Sequence, residues 1–405
     1  MNPITLTPGA ARRALGACVE PADDTDAVGA YARAVWSVLT EPGDRVAGEL
    51  ILALGPADAL DAMLYGSGVP AAARAAGLGA AELAAGRARW MPRRGGVEAS
   101  LEVARRAGVQ LLTPEDADWP RRAEVLGPCA PICLWVRGDA RVLTDPAPAV
   151  ALVGARASSA YGEHVASELA AESALSGISV YSGGAYGIDA AAHRATLTAG
   201  GTTVALMAGG LERVYPVGNQ SLIDDIARRG AVVAEVPCGT VPTKFRFLAR
   251  NRLIAALSDG TVVVEAGWRS GAINTANHAQ DLGRPLGVVP GPITSASSMG
   301  CHRLLRESEA VCITGMADVR ELLGVAGAAG PESLFDAGPY TDQRTRILDA
   351  MSTRSARSTG DIARRGGFDP DEAAALLGML ELDGAVHRGA AGWSRVAGND
   401  RGTGR

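Results

Sequence analysis

Short apolar runs alternate with amphipathic segments between residues 148 and 323. This alternation predicts strands joined by helices, and therefore a mostly parallel sheet with helices on both faces, a doubly wound α/β fold. The runs that we predict as strands are 150–153, 178–181, 203–206, 231–235, 261–265, 286–289 and 310–313.

The first 115 residues have a different pattern, rich in alanine and helical in period, with breaks such as Gly55-Pro56. Breaks of this kind separate short helices, so we predict a small N-terminal helical domain over 1–115. Its paired segments 51–64 and 80–88 have two interpretations, a phosphate-gripping helix hairpin or a module that only packs. A connector over 116–147 follows.

The C-terminal region begins with a linker over 324–339, whose glycine, alanine and proline residues cannot form a persistent element. Segments 344–351, 359–364 and 370–382 then predict three helices, the third capped by Asp369, and segments 385–388 and 392–396 predict two strands. This order over 340–397 is that of a winged helix, with a disordered tail over 398–405. The third helix and its end carry only acids, so we favour a supporting role over duplex reading: Asp371, Glu372, Glu381 and Asp383.

Composition limits the class of protein. The 405 residues, 47% of them hydrophobic, are enough for two or three domains. No stretch approaches the ~20 apolar residues of a membrane span, so we predict a cytoplasmic protein with no membrane partner. The six cysteines are scattered, which favours reduced thiols. Cys129 and Cys133 have no second ligand pair at zinc spacing, and we interpret them as small buried residues.

The only lysine among 39 basic residues, Lys244, opens a run over 244–252 that holds four cations and no acid. The formal charge of −5 argues against a nonspecific duplex coater, so any nucleic-acid site must be local. Phe245 and Phe247 add rings on which unpaired bases stack, and charge with rings is the combination used by single-strand binders. The alternative is a helix start with buried phenylalanines and solvated arginines.

Glycine-containing loops follow most of the predicted strands. Ligands of open α/β sheets bind outside the carboxyl ends of the strands, where helix N-termini present N–H groups to anions. We therefore predict a phosphate-lined crevice at this edge, although such loops also serve tight packing. The dinucleotide fingerprint Gly-x-Gly-x-x-Gly is absent after the first strand, so we predict no NAD and no other cofactor. The loops are 154–156, 182–187, 209–210, 267–271 and 290–292.

In combination, several motifs resemble the bacterial DNA-processing protein A family (DprA/Smf): Val153-Gly154-Ala155-Arg156, the stretch 182–189, the run 244–252, Arg269-Ser270-Gly271-Ala272, and Pro290-Gly291 followed by Gly300. The resemblance covers nearly the whole chain and is strongest over 148–315. It implies an extended Rossmann-like domain that binds single-stranded DNA, forms a homodimer and helps to load the RecA recombinase during natural transformation. It implies no enzymatic activity.

The resemblance also assigns residue roles. It implies that Arg156 and Lys244 contact phosphates and that Phe247 meets a base. Ala155 and Tyr186 depart from the family motifs, which usually have a hydroxyl residue and often an arginine there. We expect backbone N–H groups of the loop at 182 and of Gly271 to hold neighbouring phosphates. The further candidate DNA-binding residues are Gly154, Ser182, Gly183, Gly184, Tyr186, Arg246, Arg250, Asn251, Arg252, Ser270 and Gly271.

Two alternatives to a single-strand binder stand beside this prediction. One is a nucleotide N-glycoside hydrolase of the lysine-decarboxylase-like Rossmann group, whose motif is Pro-Gly-Gly-x-Gly-Thr followed by a glutamate. The nearest stretch, 269–276, lacks the glutamate. The other is a scaffold that binds only protein. We interpret Asp189 as a first-turn helix cap and His193 as a buried hydrogen-bonding residue, not as catalytic groups.

Overall fold

The computed structural model describes residues 4–66, 69–325, 343–352, 355–382 and 384–395. The chain forms two compact units, residues 1–326 and 327–405. Over the described ranges, every helix is too short or too polar to cross a bilayer.

Nine strands of the described part of the first unit form one sheet, in the order β1-β2-β6-β5-β4-β3-β7-β8-β9. The seven strands from β3 to β9 pair in parallel, and β1 and β2 add an antiparallel edge. The strands are β1 Gln110–Leu112, β2 Leu134–Gly138, β3 Ala149–Gly154, β4 Ser179–Ser182, β5 Thr203–Met207, β6 Ala231–Ala234, β7 Gly260–Glu265, β8 Leu286–Val288 and β9 Val311–Cys312.

The predicted α/β class is confirmed, and each of the seven predicted strands lies within one residue of an observed one. β1 and β2 are not among the predicted strands, because residues 110–112 fall in the predicted helical domain and residues 134–138 in the predicted connector. Their strand conformation depends on pairing across long sequence distances, with Trp135 opposite both Leu111 and Ala234. A local pattern does not contain such partners.

Helices cover both faces of the sheet, as the continuous apolar strands require. Along β3, Val150 and Leu152 face one core while Ala151 and Val153 face the other, since successive side chains of a strand point to opposite faces. The helices of this unit are α1 Pro8–Leu15, α2 Asp24–Leu39, α3 Arg45–Leu54, α4 Pro56–Tyr65, α5 Val69–Ala75, α6 Ala80–Trp90, α7 Val97–Arg106, α8 Ala160–Leu175, α9 Ile188–Thr198, α10 Gln220–Arg229, α11 Lys244–Leu257, α12 Gly271–Asp281, α13 Met299–Glu307 and α14 Met316–Leu322.

The N-terminal helices share a core with the sheet. Buried Trp36 and Leu50 belong to the same apolar cluster as Trp135 and Val232. At Gly48 of α3, a Cβ atom would overlap the carbonyl oxygen of Pro128, so this helix packs directly on the chain that precedes β2. These contacts favour packing over the helix hairpin, and the boundary predicted near residue 115 does not separate compact units.

Ion pairs join α11 to its neighbours on the side of the N-terminal helices. The Arg252 guanidinium donates to both carboxylate oxygens of Glu235, at 2.6 and 2.8 Å, and both side chains are nearly buried. Arg246 donates in the same bidentate way to Glu41, at 2.8 and 2.9 Å. The backbone N–H of Gly43 donates to Glu235. α11 is therefore held on this side by Glu235, just after β6, and by Glu41 of the N-terminal segment.

The second unit is the winged helix that the sequence predicts. Its elements are α15 Gln343–Ala350, α16 Thr359–Gly366, α17 Pro370–Leu382, β10 Val386–Gly389 and β11 Gly392–Arg395. Ile347, Ile362, Leu377 and Trp393 form its core. The predicted cap is present, since Asp369 accepts from the N–H of Asp371 at 2.9 Å. Asp383, the linker beyond Val325 and the tail lie outside the described residues.

His193 is buried in the first unit, as predicted. Thr203 donates its hydroxyl proton to the Val180 carbonyl, so His193 Nδ1 must donate to Thr203 Oγ1, 2.7 Å away. Nε2 then carries no proton and has no partner among the described residues. Burial, aided by the charges of Arg250 and Arg194, lowers the pKa of His193 to about 3. The imidazole is therefore neutral in the folded protein.

Removing the carboxylate charge at Glu235 is expected to destabilise the protein. Glu235→Gln leaves the nearly buried Arg252 guanidinium without its counter-ion, a change that costs about 3–5 kcal/mol. The measurement is the free energy of unfolding in urea. Asp24→Asn breaks the exposed pair with Arg12 and serves as the control, with an expected cost of about 0–1 kcal/mol. Equal losses in the two variants would contradict the structural role of Glu235.

Stability is expected to fall in mild acid because of His193. In the unfolded chain its pKa is about 6.5, and in the folded protein it is about 3, so below pH 6.5 the unfolded state binds the extra proton. Between about pH 7 and pH 5 this group lowers the free energy of unfolding by about 2 kcal/mol. His193→Asn removes the titration, and its unfolding free energy should depend less on pH by that amount. Identical pH dependence would count against a neutral buried His193.

Candidate nucleic-acid interface

A cleft of about 1230 Å³ opens at the carboxyl ends of the parallel strands. After β3, the chain adds β4, β5 and β6 on one side of this strand. It then crosses over and adds β7, β8 and β9 on the other side. Such a switch point leaves a crevice between the diverging connections, where ligands of open α/β sheets bind. The loops after β3, β5 and β7 and the start of α11 line the cleft. The predicted crevice is therefore present.

Four cations lie exposed at the wall of this cleft: Arg156, Arg213, Lys244 and Arg269. Within the described ranges, none of these side chains has a hydrogen-bond or ion-pair partner. The acids at the wall are Glu212, which is exposed, and Asp189, which is buried. The exposed charge at the cleft is thus mainly positive, although the whole chain is acidic.

The start of α11 explains which residues of the basic run reach the cleft. Thr243 caps the helix by accepting from the Arg246 N–H at 3.3 Å, so the helix begins at Lys244. Residues three and four apart share a face of a helix. Lys244, Phe247 and Asn251 fall on one face with this spacing, and all three line the cleft.

The same helical period turns Arg246 and Arg252 away, which corrects their prediction as DNA-binding residues. Neither lines the cleft, and their guanidinium groups are committed to Glu41 and Glu235. The run 244–252 contains no acid, so these partners have no local sign in the sequence. The alternative with buried phenylalanines is also incorrect, since Phe245 is 55% exposed.

Phe247 lies among cations and a second ring. The guanidinium carbon of Arg156 is 4.5 Å from its ring centroid, and that of Arg250 is 6.0 Å away. The Tyr215 ring lies 5.9 Å from it, tilted by 54°. The structure therefore brings together the three residues with assigned roles, Arg156, Lys244 and Phe247, from segments almost 90 residues apart.

The loop at 182–184 does not offer its backbone to the cleft, which corrects a second prediction. All three residues are buried, and Ser182 donates its hydroxyl to the Leu152 carbonyl at 2.6 Å. Gly183 accepts from Arg250 at 2.5 Å, and a Cβ atom there would overlap the Arg250 guanidinium. The loop instead packs against Arg250 and accepts a hydrogen bond from its guanidinium.

Arg250 is a buried cation at the floor of the cleft. Burial lowers its pKa to about 10, while the charge of Asp189 opposes this shift and the charge of Arg156 adds to it. Burial raises the pKa of Asp189, and Arg250 opposes that shift. Asp189 lies in the first turn of α9 and accepts from the N–H of Ala185 at 3.4 Å. These two groups support the loop below the exposed cations.

The remaining predicted residues have different roles at or near the cleft. Gly154 lines it, and a Cβ atom there would meet Ile188, so glycine permits close strand–helix packing. Ser270 caps α12 by accepting from the Ala272 N–H at 3.3 Å. Asn251 donates to the Gly271 carbonyl, also at 3.3 Å, and so joins α11 to α12. Tyr186 is exposed but not at the cleft wall, and its hydroxyl accepts from Gly218.

Sequence reasoning missed Arg213 and Tyr215 of the cleft wall, and it predicted the loop 267–271 without singling out Trp268 and Arg269 within it. All follow predicted strands. A cation or ring just beyond the glycine of such a loop would have identified them, because carboxyl ends of neighbouring parallel strands meet at one edge.

Comparison with known proteins agrees with this architecture. The family model for DNA recombination-mediator protein A matches residues 110–324, and that for the DprA winged helix domain matches residues 331–392. A putative DNA processing protein DprA of Mycobacterium tuberculosis is 44% identical over 298 residues, covering 70% of this chain and 76% of its own length.

Two further similarities point to the same family. The protein Smf of Escherichia coli is 32% identical over 272 residues, which is 66% of this chain and 72% of the relative. The X-ray structure of DNA processing protein A from Streptococcus pneumoniae has 31% sequence identity and a TM-score of 0.58, and the match covers 72% of this chain and 97% of that one. The sequence-based resemblance is confirmed: the chain belongs to the DNA recombination-mediator protein A (DprA/Smf) family.

Proposed function

We propose that this protein binds single-stranded DNA in the cleft between β3, β7 and α11. The observation that carries the proposal is the exposure of Arg156, Arg213, Lys244 and Arg269 around one cleft, without ion-pair partners in the described ranges. Unpaired surface cations gain energy from a polyanion without first breaking internal pairs. Their concentration in a chain of charge −5 favours a local track for one strand.

The partly exposed ring of Phe247 favours a single strand over a duplex. A base can stack on a protein ring only when it has left its own helical stack, and this contact tolerates every base. Arg156 lies over Phe247, so one nucleotide could place its phosphate on the guanidinium and its base near the ring. Lys244, one helical turn from Phe247, would hold an adjacent phosphate.

We further propose that the protein acts as a homodimer in the cytoplasm and transfers the bound strand to the RecA recombinase during natural transformation. The description of its family as recombination mediators supports this step. Two copies of the cleft would bind a longer stretch of strand than one, and the ordered strand would then be available to the recombinase.

Two substitutions on one face of α11 are expected to separate charge from stacking. Lys244→Ala should weaken binding of a single-stranded oligonucleotide and reduce the dependence of log K on log salt by about 0.7, the value for one neutralised phosphate. Phe247→Ala should cost about 1–3 kcal/mol and leave that slope unchanged. Fluorescence anisotropy across a salt series measures both quantities.

The control is Arg12→Ala, which removes the same charge from α1, away from the cleft. It should bind like the native chain. The proposal fails if Lys244→Ala binds single strands as the native chain does, or if native protein binds a matched duplex equally well and both α11 variants retain that binding.

We also propose that the cleft has no hydrolytic activity. Stretch 269–276, the nearest to the hydrolase motif, forms a capped helix start without a glutamate. Incubation with each nucleoside monophosphate should therefore release no free base, measured by chromatography beside an active hydrolase. Release that disappears in Glu212→Gln would contradict this proposal, because Glu212 is the exposed acid of the described cleft wall.

A further inference from the structure

Trp268 differs from the other tryptophans of the chain. It is 50% exposed, whereas the remaining five, all within the described ranges, are at most 5% exposed: Trp36, Trp90, Trp119, Trp135 and Trp393. An indole in water leaves a large apolar surface uncovered, which is unfavourable. Its place on the wall of a concave site indicates a surface that a planar ligand group can cover.

The position of Trp268 is fixed by its surroundings. It lies between the end of β7 and the start of α12, and it lines the same cleft as Phe247. The Arg303 guanidinium carbon, from α13, is 4.8 Å from the Trp268 ring centroid. This cation covers part of the ring and restricts its orientation, while half of the side chain remains exposed.

Trp268 has an exposed cation beside it, as Phe247 has on α11. Arg269 follows Trp268 directly, is exposed, and has no hydrogen-bond or ion-pair partner in the part of the chain that the structure describes. Phe247 has Lys244 one turn away in the same manner. A ring next to an unpaired cation therefore occurs both on α11 and on the loop between β7 and α12.

We propose that Trp268 is a second stacking platform, which takes an unpaired base of the same DNA strand whose phosphates lie on the cleft cations. This inference rests on the proposed single-strand binding and adds to it a second base position, with Arg269 beside it for the neighbouring phosphate. Because every base has a π-face, the platform adds affinity without sequence preference.

The native chain itself provides the first test, because Trp268 is its exposed tryptophan. Stacking of a base on the indole quenches its fluorescence. A thymidine oligonucleotide, whose bases do not fluoresce, should quench part of the emission of the native protein, in proportion to bound strand measured by anisotropy. In Trp268→Phe the strand should still bind while this quenching is lost.

Affinities of four variants give the second test. Trp268→Ala should raise the Kd by about 5- to 150-fold, the range for loss of one stacked base. Trp268→Phe keeps a ring and should stay within about fivefold of the native Kd, and Trp268→Leu should resemble Trp268→Ala. The matched control is Tyr65→Ala, which removes an exposed ring of α4 that does not line the cleft and should leave the Kd unchanged.

Salt dependence separates the ring from its neighbouring cation. Trp268→Ala should keep the native slope of log K against log salt, whereas Arg269→Ala should reduce it by about 0.7. Suppose that Trp268→Ala binds with the native Kd and that the strand does not quench the emission of the native protein, while Lys244→Ala still weakens binding. That result would overturn the platform and leave the proposed function standing. Equal losses in Trp268→Phe and Trp268→Ala would also overturn it. If the native chain binds no single strand, both proposals fall.

Discussion

The orientation of α11 is the constraint on which the cleft depends. A helix with basic residues at 244, 246, 250 and 252 cannot point all of them in one direction, and the buried Arg252–Glu235 pair selects one rotation. With Arg252 facing Glu235 and Arg246 facing Glu41, Lys244 and Phe247 turn toward the carboxyl ends of the strands. Internal charge pairs on one side of the helix thus leave unpaired charge on the other.

This division matters more to the proposed function than the amount of charge. A guanidinium group that is buried against an acid, as Arg252 is against Glu235, is not available to phosphate, since transfer to DNA would leave the acid unpaired. The cleft cations have no such competitor among the described residues. Arg250 differs from both groups. It is buried, donates to backbone carbonyl groups and lies near the ring of Phe247, so it adds positive charge at the floor of the cleft without being exposed.

Glycine loops have two different uses at the same sheet edge. The loop at 182–184 turns inward and holds Arg250, whereas the loop at 267–271 is exposed and presents a ring, a cation and a helix start. Both have the same appearance in the sequence. The difference arises from what packs against them, because a Cβ atom at Gly183 would meet a buried guanidinium and one at Gly271 would meet nothing within 4 Å.

The sequence by itself determined the α/β class, the seven parallel strands and the winged helix, and its resemblance to the family pointed to Arg156, Lys244 and Phe247. The elements follow from local period, and the three residues come from motifs that each span only a few residues but lie far apart in the chain. Only the tertiary structure decided that Arg246 and Arg252 are internal, that 182–184 is buried, that Arg213 and Tyr215 line the cleft and that Trp268 is exposed there. Their partners, such as Glu41 and Glu235, come from distant segments, and sequence spacing does not record which acid or carbonyl the fold brings to a given side chain.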